Sequence, residues 1–131
     1  MDGACNLPIL PSKETDIISE CESWYARWDR YPVNPGHLLI ATFRHIPFYF
    51  ETTQEEREAL VTFINYCKSL LDEKFHPDGY NIGMNVGTAA GQTVMHVHVH
   101  LIPRYKGDIE NPTGGVRGVI PRRRIYLKHL H

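Results

Sequence analysis

Three histidines alternate with aliphatic residues in the run Met95-His96-Val97-His98-Val99-His100-Leu101-Ile102. Successive side chains of a β-strand point to opposite faces, so this spacing predicts His96, His98 and His100 in one row at intervals of roughly 7 Å. Val97, Val99 and Leu101 then turn into the opposite layer. An imidazole, with an unperturbed pKa of about 6.5, is largely neutral at pH 7 and can serve as nucleophile, proton donor or metal ligand. Each role asks for different neighbours.

A metal reading uses the His-x-His pair as two ligands, with His37 or His100 as the third. Against it, no Asp or Glu lies beside the strand as ligand or base, and Ile102-Pro103 continues apolar. A nucleophile reading needs one histidine to attack phosphorus, neighbours that hold its tautomer, and donors for the non-bridging oxygens. The small-residue loop Gly87-Thr88-Ala89-Ala90-Gly91-Gln92-Thr93 runs into the strand. It can bring backbone amides near Gly91, the Gln92 amide and the Thr93 hydroxyl to an anion beside His98.

The elements that must position these groups are readable in outline. Asp16 to Asp29 begins with β-branched Ile17 and Ile18 and then alternates Trp24, Ala26, Trp28 against Tyr25, Arg27, Asp29, which predicts two strands with a turn near Cys21. Tyr25 and Arg27 share a face with Asp29, whereas Trp24 and Trp28 belong to the packed side. Arg30 to Gly36 holds two prolines and reads as a turn, and His37 to Phe43 as a third strand. Thr53 and Glu56 have capping-box spacing, which predicts a helix start there. Leu60, Phe63, Ile64, Cys67, Leu70 and Leu71 supply one buried helical stripe that ends before His76-Pro77-Asp78-Gly79. Tyr80 to Val86 reads as a further strand. Strands around one long helix predict an α+β domain with an antiparallel sheet covered on one face.

A length of 131 residues, with 42% hydrophobic and 22% charged, fits a single globular domain over 1–131. Residues 1–12 read as an irregular N-terminal arm, and residues 106–131 as a tail. A net charge of −1 argues against general binding of nucleic acid or other polyanions. The tail is locally basic at Arg117 and Arg122 to Arg124, where phosphate contact would be local. Cys5, Cys21 and Cys67 form no CxxC pair, which predicts free thiols in a reducing compartment. No apolar stretch has membrane length and no leader pattern opens the chain, so a cytoplasmic protein is expected.

The run His96-Val97-His98-Val99-His100-Leu101-Ile102, preceded by Gly91-Gln92-Thr93-Val94, resembles the signature of the histidine triad (HIT) superfamily. Asp29 and Pro32-Val33-Asn34-Pro35-Gly36-His37-Leu38-Leu39-Ile40, followed by Arg44-His45, are similar to that family's upstream segment. The likeness covers about residues 16 to 105 and is greatest to the fragile-histidine-triad-like branch and its bacterial relatives; Gly107-Asp108 and Gly114-Gly115-Val116-Arg117 also resemble those relatives.

The resemblance implies cleavage at the α-phosphate of a dinucleoside polyphosphate or related nucleotidyl conjugate, through a nucleotidyl intermediate on His98. It makes His96 and His37 supporting members and gives His100 phosphate binding and proton delivery. Gln92 and Thr93 would hold phosphate oxygens, Asp29 the ribose hydroxyls, and Asn85 the region of sugar and phosphate. It implies a homodimer of joined five-strand sheets, in which the helix from Thr53 to Lys74 would cover exposed Val61. No cofactor is required, although a divalent cation can ride on the substrate phosphates. Relatives with structural zinc carry two N-terminal cysteines, a pair this chain lacks. A phosphoramidase or nucleotidyl transferase, a slow nucleotide-binding regulatory module and a metal-dependent enzyme stay open as alternatives.

Overall fold

Residues 17–126 are described by the computed structural model, so the N-terminal arm over 1–12 and the last five residues of the tail lie outside the described residues. Ile17–Glu20 forms β1 and Trp24–Trp28 forms β2; Leu38–Thr42 forms β3 after the proline-rich turn. Gln54–Phe75 is helix α1, Gly79–Gly83 is β4 and His98–Arg104 is β5. The five strands make one antiparallel sheet in the order β1-β2-β3-β5-β4.

Helix α1 starts where the capping box predicts. The Glu56 amide donates to Thr53 Oγ1 at 3.0 Å and the Thr53 amide to Glu56 Oε1 at 2.8 Å, which satisfies two amides that a helix start leaves open. Arg44 grips the same carboxylate from Nε and Nη2 at 3.0 and 2.9 Å, tying the segment after β3 to the helix. The helix ends at His76, whose backbone is left-handed just ahead of Pro77.

Leu60, Phe63, Cys67 and Leu71 of α1 pack on Trp24, Ala26, Leu38, Ile40, Val99 and Leu101 of the sheet and on Val97 just ahead of β5. Each large side chain removed from water here contributes about 2 kcal/mol. Trp24 is fully buried and donates its indole N–H to the Glu56 carbonyl at 2.8 Å, which fixes the helix across β2.

Two boundaries differ from expectation. The β4 strand stops at Gly83, short of Val86, and β5 begins at His98 and runs through Pro103 to Arg104. The last pair between β3 and β5 is Ala41 with His98. Beyond it the Thr42 hydroxyl donates to the Arg44 carbonyl and the chain turns away from β5. His96 therefore sits in a bend, its amide donating to Val94 O at 2.9 Å. Pro103 fits in an interior strand because β3 has already ended at Leu38, the partner of Leu101, so no neighbour on that side needs its missing amide.

Candidate active site

Alternation along β5 turns His98, His100, Ile102 and Arg104 to the open face and buries Val99, Leu101 and Pro103 beneath. Across the sheet, Tyr25 pairs with Ala41 and Ala41 with His98; Arg27 pairs with Leu39 and Leu39 with His100. The open face thus carries the rows Tyr25-Ala41-His98 and Arg27-Leu39-His100. Trp24 and Trp28 lie on the helix side, as the alternation predicts.

The hydrogen bonds assign the imidazole tautomers. His98 Nδ1 donates to the main-chain carbonyl of His96 at 2.8 Å, which leaves the lone pair on Nε2. His96 is 1% exposed and donates from Nε2 to the Thr42 carbonyl at 2.7 Å. The Val33 amide donates to His37 Nδ1 at 3.2 Å, so His37 carries its proton on Nε2. That proton faces His100 Nδ1 at 2.9 Å, which places the His100 proton on Nε2. Only His98 and His100 stand side by side on the open strand, with ring centroids 5.3 Å apart; His37 and His96 are buried behind them.

Asp29 closes β2 and has two jobs. Its Oδ1 accepts the Tyr31 amide at 2.7 Å, forming the turn, while Oδ2 lies 3.3 Å from His37 Nε2 and 3.9 Å from His100 Nδ1. Asp29, His37 and His100 bring one potential ligand atom each within 4.8 Å of one another. Coordination through His37 Nε2 would move its proton to Nδ1, where the Val33 amide already points a hydrogen. The trio is therefore built as a hydrogen-bonded relay rather than a cation cage.

Burial depresses the basicity of all four rings, outweighing the groups that favour their charged forms. Desolvation lowers the pKa of His37, His96 and His98; Asp29 pulls the other way for His37, His98 and His100, and the Thr42 and His96 carbonyls do so for His96 and His98. For His100, desolvation followed by the neighbouring His98 and His37 brings it down to about 4. The histidines are neutral at pH 7, the state a nitrogen nucleophile requires.

The preceding loop turns at Gly87 and Gly91, both with φ above +90°. Gln92 is buried and acts as its staple: Oε1 accepts the Gly87 amide at 2.8 Å, and Nε2 donates to Pro47 O and Val94 O at 2.7 and 3.0 Å. Its side-chain donors thus shape the loop and are occupied there. Thr93 and Asn85 are exposed on either side of it. In the tail, Arg117 donates to the Arg124 and Arg123 carbonyls and Arg124 to those of Asn111 and Thr113, so these two cations fold the tail on itself. Arg122 and Arg123 remain exposed.

Sequence patterns gave no sign of the Val33 amide, the Thr42 carbonyl or the Pro47 carbonyl, because main-chain groups carry no residue signature. A bracket joining Asn34 Nδ2 to Asp108 Oδ2 at 2.7 Å, and Asp108 to Arg104, was equally hidden, since its ends lie 74 residues apart.

A strand-borne pair of neutral, tautomer-locked imidazoles, backed by two buried ones and headed by a glycine-turned amide loop, defines a histidine-centred site on an α+β sheet. Residues 11–107 match the HIT domain. AP-4-A phosphorylase of Mycobacterium tuberculosis is 34% identical over 119 residues, covering 88% of this chain and 60% of that protein. Bis(5'-adenosyl)-triphosphatase of Dictyostelium discoideum is 37% identical over 99 residues, covering 76% of this chain and 66% of that protein. The crystal structure of Plasmodium falciparum diadenosine triphosphate hydrolase in complex with Cyclomarin A superposes with a TM-score of 0.70 at 28% identity, over 76% of this chain and 67% of that chain. This chain belongs to the HIT family. It spans less than two thirds of the length of these two curated relatives.

Proposed function

We propose that this protein hydrolyses a dinucleoside polyphosphate, or a related nucleotidyl conjugate, at its α-phosphate through a nucleotidyl-His98 intermediate. The observation that carries the reading is the 2.8 Å bond from His98 Nδ1 to the His96 carbonyl, which leaves Nε2 as a neutral nucleophile on the open face. The names of the Mycobacterium and Dictyostelium relatives, both acting on adenosine polyphosphates, support the substrate class.

In the first step His98 Nε2 forms a bond to the α-phosphorus and the bond to the bridging oxygen breaks. The leaving phosphate departs as its anion, accepting a hydrogen bond from His100 Nε2–H. In the second step water attacks phosphorus as the His98 Nε2–P bond breaks; the nucleoside monophosphate leaves with the water's oxygen and one of its hydrogens, the other proton passes to solvent, and His98 recovers its lone pair. Asp29 accepts the ribose hydroxyls, and the amides around Gly91 with the Thr93 hydroxyl meet the non-bridging oxygens. Asn85, exposed just past β4, borders the sugar and phosphate. His37 and His96 orient the reacting rings. The protein supplies no cofactor of its own to this scheme, and any divalent cation arrives on the substrate phosphates.

A homodimer formed along β4 belongs to the same reading. Lys68 and Asp72 of α1 reach Tyr80 of β4, so Val61, on the same helical flank and 65% exposed, borders that sheet edge together with Ile82, 48% exposed. Among the described residues no helix is long and apolar enough to cross a membrane, and Cys21 and Cys67 are free thiols, which suits a cytoplasmic protein.

Mass spectrometry of an acid-free quenched reaction tests the scheme. Diadenosine polyphosphate is expected to leave an adenylyl group on His98, absent in His98→Ala, with nucleotide binding retained. An adduct that persists in His98→Ala overturns it. Binding with no adduct and no turnover would make the protein a regulatory nucleotide binder, and loss of turnover with a chelator on a phosphoramidate substrate would bring back metal chemistry.

A further inference from the structure

The open face does not end at His100. Beyond it, along the same row of β5, stand Ile102 and then Arg104, and these floor a cleft of about 290 Å³ walled by Val33 and Asn34 of the Asp29–Gly36 loop, Asn81 of β4 and Ile109. We propose that this cleft seats the base of the departing nucleoside, a neutral planar ring, while His98 holds the other nucleotide. The proposal rests on the reading of His98 as nucleophile.

Position supports it first. Ile102 is four residues from His98 on one strand face, roughly 13 Å along β5, a distance that the bridging phosphates and second ribose of a dinucleoside polyphosphate can span. Asn81 pairs with Ile102 across the sheet, so it shares that face. The loop that supplies Val33 and Asn34 also supplies Asp29 and His37, which makes the cleft continuous with the candidate site.

The chemistry of the walls then selects the ligand. Arg104 is held as a fixed plane: Nε and Nη2 each reach one oxygen of Asp108 at 2.8 Å, and Nη1 reaches Asn81 Oδ1 at 2.6 Å. Asp108 is in turn held by Asn34 Nδ2 at 2.7 Å and the Tyr105 amide at 2.9 Å. Because Asp108 neutralises Arg104 at close range, the cleft offers no net cation to a distal phosphate. It offers an immobilised guanidinium plane on which an aromatic ring can stack. Ile102, Val33 and Ile109 supply apolar contact, and both Val33 and Ile109 are half or more exposed. The Asn34 carbonyl and the Asn81 NH₂, the amide ends not used in the network, are left to meet ring edges. A cleft near the lower limit of small-molecule sites, about 300 Å³, fits a base better than a whole nucleotide.

The experiment compares two substrates that share a phosphate chain and differ only in the second nucleoside, diadenosine tetraphosphate and adenosine 5'-tetraphosphate. Arg104→Lys keeps the charge and abolishes the fixed plane. It is expected to lower kcat/KM for the dinucleoside about tenfold, in line with the stacking of one base, and to leave the mononucleoside polyphosphate within twofold of wild type. Ile109→Ala, at an exposed position outside the Arg104 network, is expected to shift the ratio the same way by a smaller factor and carries the test if Arg104→Lys fails to fold. An unchanged ratio in both variants, or an equal loss on both substrates, overturns the proposal. If wild type forms no adenylyl adduct with either substrate, it is the assignment of His98 that has failed; adducts from both substrates with an insensitive ratio sink the cleft alone.

Discussion

His37 Nε2 and His100 Nδ1 lie 2.9 Å apart, and the proton between them belongs to His37 because the Val33 amide occupies its other nitrogen. This relay forces His100 to present an N–H, rather than a lone pair, towards the open face. His37→Ala removes the donor and lets His100 populate both tautomers. A fall in kcat of about tenfold to a hundredfold is expected, with a smaller change in KM and an unchanged circular dichroism spectrum. A kcat equal to wild type would remove His37 from the machinery.

The pH dependence has a definite sign. His98 and His100 are neutral in the fold with pKa values below the ordinary 6.5, about 4 for His100. The acid limb of kcat/KM is therefore expected below pH 6.5, with activity flat from there to pH 8. An acid limb centred above pH 7 contradicts it. The same depression makes the unfolded chain bind more protons between the folded and unfolded pKa values, so stability is complete above pH 6.5 and declines as pH falls towards 4. The loss from His100 alone is on the order of 3 kcal/mol, measurable by urea unfolding at pH 7 and pH 4.5.

Gly36 holds φ at +90°, and a Cβ there would meet Phe75 Cδ2 and Pro103 Cγ at 3.0 Å. Both are ring atoms with little room to yield. Gly36→Ala is expected to cost about 2 kcal/mol from backbone strain and crowding and to lower Tm by about 5 °C or more. Because His37 is the next residue, kcat should fall by more than the loss of folded protein accounts for. A variant with wild-type Tm would show that the turn tolerates a side chain.

Gln92→Leu keeps the bulk of the side chain but removes its links to Gly87, Pro47 and Val94. The loop ahead of β5 loses its brace, and two or three buried groups lose partners at about 1 kcal/mol each. Faster amide exchange over residues 87–93 and a raised KM are the expected readouts. Unaltered exchange in that segment counts against the staple.

Thr53→Ala deletes half of the capping box and is expected to lower stability by about 1 kcal/mol in thermal or urea unfolding, with kcat unchanged, since Thr53 lies at the helix start on the other layer. A loss of activity at constant stability would point to a link between α1 and the histidines that the packing does not reveal.

Most of the fold was legible because its signals are local and periodic. The stripe Leu60, Phe63, Cys67, Leu71 and the alternation around Trp24 each report one buried face, and Thr53 with Glu56 marks a helix start by chemistry alone. The face shared by Tyr25, Arg27 and the histidines followed from alternation once the strand order was known. What pattern missed was set by partners distant in sequence. His96 reads as a strand residue, yet the β3–β5 pairing stops at Ala41 with His98, and His96 sits in a bend with its amide donating to Val94 O. Gln92 reads as a phosphate ligand, yet Pro47, 45 residues away, occupies its amide. Arg117 and Arg124 read as free cations for phosphate, whereas carbonyls of their own tail hold them. In each case residue type announced a capacity and tertiary geometry chose its use.

The group that orients the nucleophile at position 98 comes from the peptide unit of residue 96 and not from its imidazole. Every amino acid has that oxygen. The first member of the triad is thus interchangeable as far as aiming its neighbour is concerned; what an exchange at 96 puts at risk is the anchorage of that peptide to the Thr42 carbonyl, a duty that any side chain with one well-placed donor can inherit.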